Sequence, residues 1–262
     1  MAVDILATSD HHQKVLKSHE YSEKWFNSKA KNELIKIGSA TPPKQPSRPI
    51  KPVLLSPRNM PKRKTGHEKG RIALIHAIAH IELNAVDLHW DIIARFSHIK
   101  MPNGFYDDWV KAAQEESKHF SLLCNRLESM GSFYGELPAH AGMWSSTEET
   151  SEDFLGRLAI VPMVLEARGL DVTPGMIKLF KNINDMETVN TLETIYSEEV
   201  GHVAFGSKWF HFLCGRHDKD PKQMFHELVE KYFKSSLKPP FNDEKRAEAG
   251  IPMDFYWPIA VG

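Results

Sequence analysis

Two segments of the chain share the spelling E-E-x-x-H: Glu115-Glu116-Ser117-Lys118-His119 and Glu198-Glu199-Val200-Gly201-His202. On a helix, residues three apart lie on one face. Glu116 and His119 can then reach the same cation, as can Glu199 and His202. A carboxylate paired with an imidazole suits iron, manganese or zinc and disfavours copper(I). One such pair carries little weight by itself, because the spelling recurs by chance in a chain with 14 histidines. The surroundings carry more. Each pair sits on an otherwise apolar face, and each follows a segment with a single acid on its apolar face. Glu82 stands 34 residues before Glu116, and Glu166 stands 33 before Glu199.

One Glu and then one E-x-x-H, twice over, is the pattern of carboxylate-bridged dimetal bundles. Four carboxylates buried in a core are prohibitive unless cations compensate them. The expectation is therefore a pair of metal ions held by Glu82, Glu116, His119, Glu166, Glu199 and His202. Glu116 and Glu199 would bridge, Glu82 and His119 would complete one metal, and Glu166 and His202 the other. Iron is the first expectation, with manganese or a mixed iron–manganese pair as alternatives. His89, seven residues after Glu82, returns to the same face as a candidate proton donor beside the ligands or a hydrogen-bonded core histidine. Tyr196, three before Glu199, is a candidate to line the site, against plain packing. Glu115 and Glu198 turn about 100° from the ligands and read as solvated. His76 and His80 fall off the Glu82 stripe. Cys124 and Cys214 read as small core residues.

Helices must position these groups. Ile75, Ile78, Ala79, Glu82, Val86 and Ile93 share a face over about 67–98. Trp109, Ala112, Ala113, Glu116, His119, Leu123 and Leu127 do so over about 107–130, and Asn103-Gly104 reads as the turn between the two. Residues 131–148, with three glycines and a proline, read as a loop. A third helix is expected over about 150–170, kinked or broken at Pro162, and a short one from Thr173-Pro174. A fourth runs over about 185–214 with Leu192, Ile195, Glu199, His202, Gly206 and Trp209 aligned, and another over 221–236. Ahead of these, 10–38 reads as a polar amphipathic helix with Trp25, Phe26, Leu34 and Ile35 as its apolar members. Strand signals are nearly absent, so the class is all-α. The expected organisation is an N-terminal helix and strap over 1–66, a four-helix dimetal bundle over 67–236 and an irregular tail over 237–262.

Residues 41–65 hold seven prolines, and all their charges are basic: Lys44, Arg48, Lys51, Arg58, Lys62, Arg63 and Lys64. This reads as an extended strap. It is taken as a strap on the bundle surface in preference to an RNA-binding arm, because no aromatic residue interleaves the basic ones. The 262 residues are 41% hydrophobic and 10% aromatic, enough for a real core, and the formal net charge is −1. No field for nucleic acid or an anionic membrane is indicated. Two distant cysteines give no disulfide framework or thiolate zinc site. No run is apolar enough for a membrane span and no secretory leader is legible, so a reducing cytoplasm is the expected location.

The run Arg71-Ile72-Ala73-Leu74-Ile75-His76-Ala77-Ile78-Ala79-His80-Ile81-Glu82-Leu83-Asn84-Ala85 resembles the ferritin-like family catalogued as domain of unknown function 455. So do Glu166-Ala167-Arg168-Gly169-Leu170-Asp171-Val172-Thr173-Pro174-Gly175-Met176 and both E-E-x-x-H segments. The likeness covers nearly the whole chain, including the strap and the Pro239-Pro240-Phe241-Asn242 tail. It implies a ferritin-like four-helix core and a dimetal site on the same six residues, but no reaction. A more distant likeness is to the diiron hydroxylase of an isopentenylated tRNA base. The expected function is a diiron oxidoreductase of hydroxylase or monooxygenase type. It would act on a small-molecule or nucleobase substrate and take electrons from a separate donor. The alternatives are a ferroxidase or iron-storage protein without an organic substrate, and a binding protein with a structural metal.

Overall fold

The computed structural model describes residues 1–33, 35–39, 41–61, 65–140 and 142–261. Among them there is no strand, and the chain is all-α. It divides into two compact units, Met1–Ser145 and Ser146–Gly262. The helices expected to make one bundle over 67–236 are therefore shared between the two.

The first unit is built on α1 (Ala2–Leu6), α2 (His11–Ala30), α3 (Glu68–Arg95) and α4 (Asn103–Ser129). Helix α3 packs against α4 along its length, and α2 packs against α4. Asp10 caps α2 by accepting the Gln13 N–H at 2.8 Å, a contribution of about 1 kcal/mol. The helix ends eight residues short of the expected 38. Asn32 follows its last turn with φ of 55°, in the left-handed region that asparagine tolerates and that stops a helix. Ile35 lies beyond the end, and Leu34 lies outside the described residues. Small hydroxyls fasten α2 to α4: Ser18 Oγ donates to the Ala113 carbonyl and Ser22 Oγ to that of Val110. Trp90 on α3 donates its indole N–H to Ser18 at 2.8 Å.

Asn103-Gly104 is not a turn. The reversal falls at 96–102, and Pro102 provides the extended N-cap from which α4 starts at Asn103. The expected loop over 131–148 is also corrected, because Gly142–Glu149 forms α5. The strap at 41–61 is irregular apart from one 3-10 turn at Pro57–Asn59. It is stitched down by its backbone. Ser47 donates to Leu6 at 2.7 Å, and Ala139 exchanges bonds with the Val53–Leu55 stretch. Lys62, Arg63 and Lys64 of the basic run lie outside the described residues.

The second unit contains α6 (Phe154–Ile160), a π-helical segment (Val161–Glu166), α7 (Ala167–Lys181), α8 (Met186–Arg216) and α9 (Pro221–Tyr232). The interruption expected at Pro162 is present as a change of winding: α6 ends at Ile160 and the π-helical segment follows. The lost hydrogen bond is absorbed by the wider π winding, a common answer to a disturbed i−4 ladder. Helix α8 packs on this segment at Gly206, where an added Cβ would stand 2.3 Å from Pro162 Cβ and Cγ. No separate helix begins at Thr173-Pro174, since α7 runs through Pro174. The Leu170 carbonyl, which proline leaves without its helical donor, accepts instead from Asn242 Nδ2 at 3.3 Å. The tail is more ordered than expected, with α10 (Asp243–Glu248) and α11 (Met253–Tyr256). Buried Arg246 makes a two-pronged ion pair with Asp171 at 2.8 and 2.7 Å.

Candidate metal centre

In the first unit, the long facing stripes of α3 and α4 bring three of the expected ligands together. Glu82 comes from the middle of α3, and Glu116 and His119 from successive turns of α4. All three are buried, at 4%, 1% and 0% exposure. His119 Nδ1 lies 3.3 Å from Glu82 Oε2 and 3.3 Å from Glu116 Oε2. Two donors about 2.1 Å from one ion, at angles between about 90° and 110°, stand about 3.0–3.4 Å apart. The three atoms are thus spaced as the donors of a single cation.

The electrostatics demand compensation. Burial, and then the neighbouring Glu116 carboxylate, hold the Glu82 carboxyl well above the ordinary carboxylate range, against the opposing pull of His119. A carboxylate disfavoured by both desolvation and like charge is what a bound cation stabilises. The donor set, two carboxylates and an imidazole, suits a divalent first-row metal. These groups can hold a metal ion.

His89 belongs to the same cluster. It is 1% exposed, and its Nε2 lies 3.5 Å from Glu116 Oε1, the oxygen that His119 does not face. This is longer than an ordinary charge-assisted hydrogen bond and within reach of one proton transfer after a small adjustment. Trp109 packs on its ring at 5.3 Å between centroids and fixes its orientation.

In the second unit, Glu199 and His202 stand one turn apart on α8, with His202 Nδ1 3.6 Å from Glu199 Oε1. His202 is fully buried, and the Glu199 side chain is 12% exposed. Glu166 is the last residue of the π-helical segment and is buried at 7% exposure. Helix α8 packs on both that segment and α7, so all three groups arise from adjoining elements of one unit.

The remaining singled-out residues have plainer roles. Tyr196 accepts a hydrogen bond on its hydroxyl from Asn242 Nδ2 at 2.7 Å, which ties α8 to the C-terminal segment. His76 accepts the Gly135 N–H at 2.9 Å, and His80 Nδ1 pairs with the Tyr134 hydroxyl at 2.8 Å. Both rings stack on Tyr134, so the two histidines pin the loop after α4. Glu115 is half-buried and faces Lys111 at 3.6 Å. Glu198 is also half-buried, less solvated than its rotation away from the ligands implied. Cys124 and Cys214 are buried free thiols. A partnership missed from sequence is Lys14 with Asp87, a 2.5 Å ion pair almost wholly buried between α2 and α3. Its only sequence signal is an acid on the apolar helix α3. No helix among the described residues is long and apolar enough to cross a membrane.

Comparison with known proteins agrees with the motifs. A Haemophilus influenzae protein named "Uncharacterized protein" is 41% identical over 208 residues, covering 78% of this chain and 72% of that protein. No solved structure matches the chain. The family described as "Protein of unknown function (DUF455)" matches residues 7–257, and the chain belongs to that family.

Proposed function

We propose that the chain is a carboxylate-bridged dimetal oxidoreductase on a ferritin-like bundle, with iron as its metal. Glu82, Glu116, His119, Glu166, Glu199 and His202 are the ligands. The observation that carries this reading is the buried Glu82–Glu116–His119 cluster, whose spacing and raised Glu82 pKa suit a cation. The second E-E-x-x-H on α8 and the buried Glu166 repeat the same donor types. Four carboxylates against two divalent ions leave the interior neutral, which answers the cost of burying them.

Bound iron would supply dioxygen activation for oxidation of a C–H or N–H group. In such a reaction one oxygen atom enters the substrate and the other leaves as water. A separate reductant supplies two electrons, and two protons are consumed. The chain's own residues handle the protons and the exclusion of water. His89 Nε2, 3.5 Å from Glu116 Oε1, would carry a proton to or from that carboxylate oxygen. Trp109 and the apolar residues of α3 and α4 keep bulk water from the cluster. Substrate and electron donor are expected from outside this chain, the substrate being a small molecule or a nucleobase.

The test is metal analysis of protein purified without air, followed by optical spectra on oxygen addition. Two iron atoms per chain and a transient visible absorption are expected. Glu116→Ala should lose metal and its stabilising effect. Iron oxidised without any organic product in the presence of reductant and candidate substrates would favour an iron-handling role. One zinc per chain, or unchanged metal content in Glu116→Ala, would overturn the dimetal reading.

A further inference from the structure

Helix α3 faces two ways. The Glu82–His89 stripe serves the cluster described above. The stripe of His80, Asn84 and Asp87 lies about 160° around the helix from it and lines a separate cavity of about 30 Å³ beneath the Pro-rich strap. The strap roofs this cavity between two anchors. One is Ser47, whose N–H bonds Leu6 and whose carbonyl accepts from Lys14 Nζ at 3.0 Å. The other is the Val53–Leu55 stretch paired with Ala139. Between the anchors, Arg48 lines the cavity with His11, Lys14, Asp87 and Tyr134.

The charges here do not balance. Lys14 and Asp87 satisfy one another across 2.5 Å, which leaves Arg48 as a surplus positive charge. Among the described residues its guanidinium has neither an ion pair nor a hydrogen bond. Its charge is nevertheless felt by the buried Asp87 and Tyr134, so it bears on the interior and not only on solvent. His11 Nδ1 is buried and also has no partner among the described residues. An arginine and an imidazole nitrogen without partners, at one small cavity under a fastened strap, form a receptor for an oxyanion. A planar guanidinium matches the two oxygens of a carboxylate. A cavity of this size takes about two water-sized atoms, which fits a carboxylate end and is small for a tetrahedral phosphate.

We propose that the cavity beneath the strap binds the carboxylate group of a small organic acid, with Arg48 as its counter-ion and His11 as a second contact. The basic strap thus recognises an anion by placing one half-buried arginine at the cavity, in a site independent of the metal cluster.

The experiment titrates the full-length protein with acetate, acetamide and inorganic phosphate at constant ionic strength. It follows the side-chain NMR signals of Arg48 and His11. Acetate should saturate, the neutral isostere acetamide should not, and phosphate should bind more weakly than acetate. Arg48→Gln should weaken acetate about tenfold or more, as expected for loss of a charge-assisted pair, and His11→Phe should weaken it by a smaller factor. The circular dichroism and melting temperature of both variants check that each still folds. Equal responses to acetate and acetamide, acetate affinity unchanged in folded Arg48→Gln, or phosphate binding tighter than acetate would each overturn the proposal. Metal content, measured in the same samples, reports separately on the dimetal reading.

Discussion

Glu82 has opposite effects on the metal-free and metal-bound protein. Its folded pKa lies well above the unfolded value of 4.5. The metal-free protein therefore gains most from this residue below that unfolded value, and loses the gain as pH rises through the folded pKa. Metal binding requires the proton to leave, so metal affinity should rise with pH over the same interval. Glu82→Gln removes the buried charge while keeping the shape. The variant stripped with chelator should melt at or above the stripped wild type at pH 7, yet gain nothing from added iron(II) or manganese(II). Differential scanning fluorimetry with and without metal reads both effects. A stripped variant that melts well below the stripped wild type would mean that Glu82 stabilises the apo fold directly. The buried cluster of Glu82, Glu116 and His119 was legible from sequence because a carboxylate on an apolar helical face is too costly to bury without a compensating partner. The place of Arg48 beside the cavity was not legible, since nothing in a proline-rich basic run says which of its cations lies against the core.

Elements were read well where one period dominated and poorly where proline and glycine had to be interpreted. Pro162 and Pro174 both suggested interruptions; the first is met as a π-helical segment, while the helix runs through the second with a side chain from the tail as substitute donor. A lone proline in a sequence cannot reveal the remote donor that rescues its orphaned carbonyl. Both repairs can be probed by substitution. Gly206→Ala would drive a Cβ to 2.3 Å from Pro162 and should cost about 1–3 kcal/mol by overpacking. Pro162→Ala in the same chain should restore part of that loss in urea denaturation. Asn242→Ala removes the donor to Leu170 and should cost roughly 1–3 kcal/mol. The cost should shrink in a Pro174→Ala background, where the helix supplies its own N–H to that carbonyl. Equal costs in the two backgrounds would show that the asparagine matters through Tyr196 and through its cap on α10, where it accepts the Lys245 N–H. The short helices α1, α5, α10 and α11 escaped notice because segments of four to eight residues give too few turns for a period to declare itself.

At the scale of the whole molecule, the proposed ligands divide evenly between Met1–Ser145 and Ser146–Gly262. If all six hold one pair of ions, chelation should lower hydrogen-exchange protection around Glu82 and Glu116 and around Glu166 and Glu199 together, at the same chelator concentration. Loss confined to one unit would mean that its three ligands bind metal alone. The C-terminal segment also changes how the chain should be cut. Its sequence looks expendable, but Asn242 and Arg246 reach back to Leu170, Tyr196 and Asp171. An expression clone stopped at residue 236, the natural choice for someone trimming a ragged end, would strand a carbonyl, a phenol and a buried acid in one stroke. Such a shortened protein should be recovered from inclusion bodies, and its insolubility would say nothing about iron.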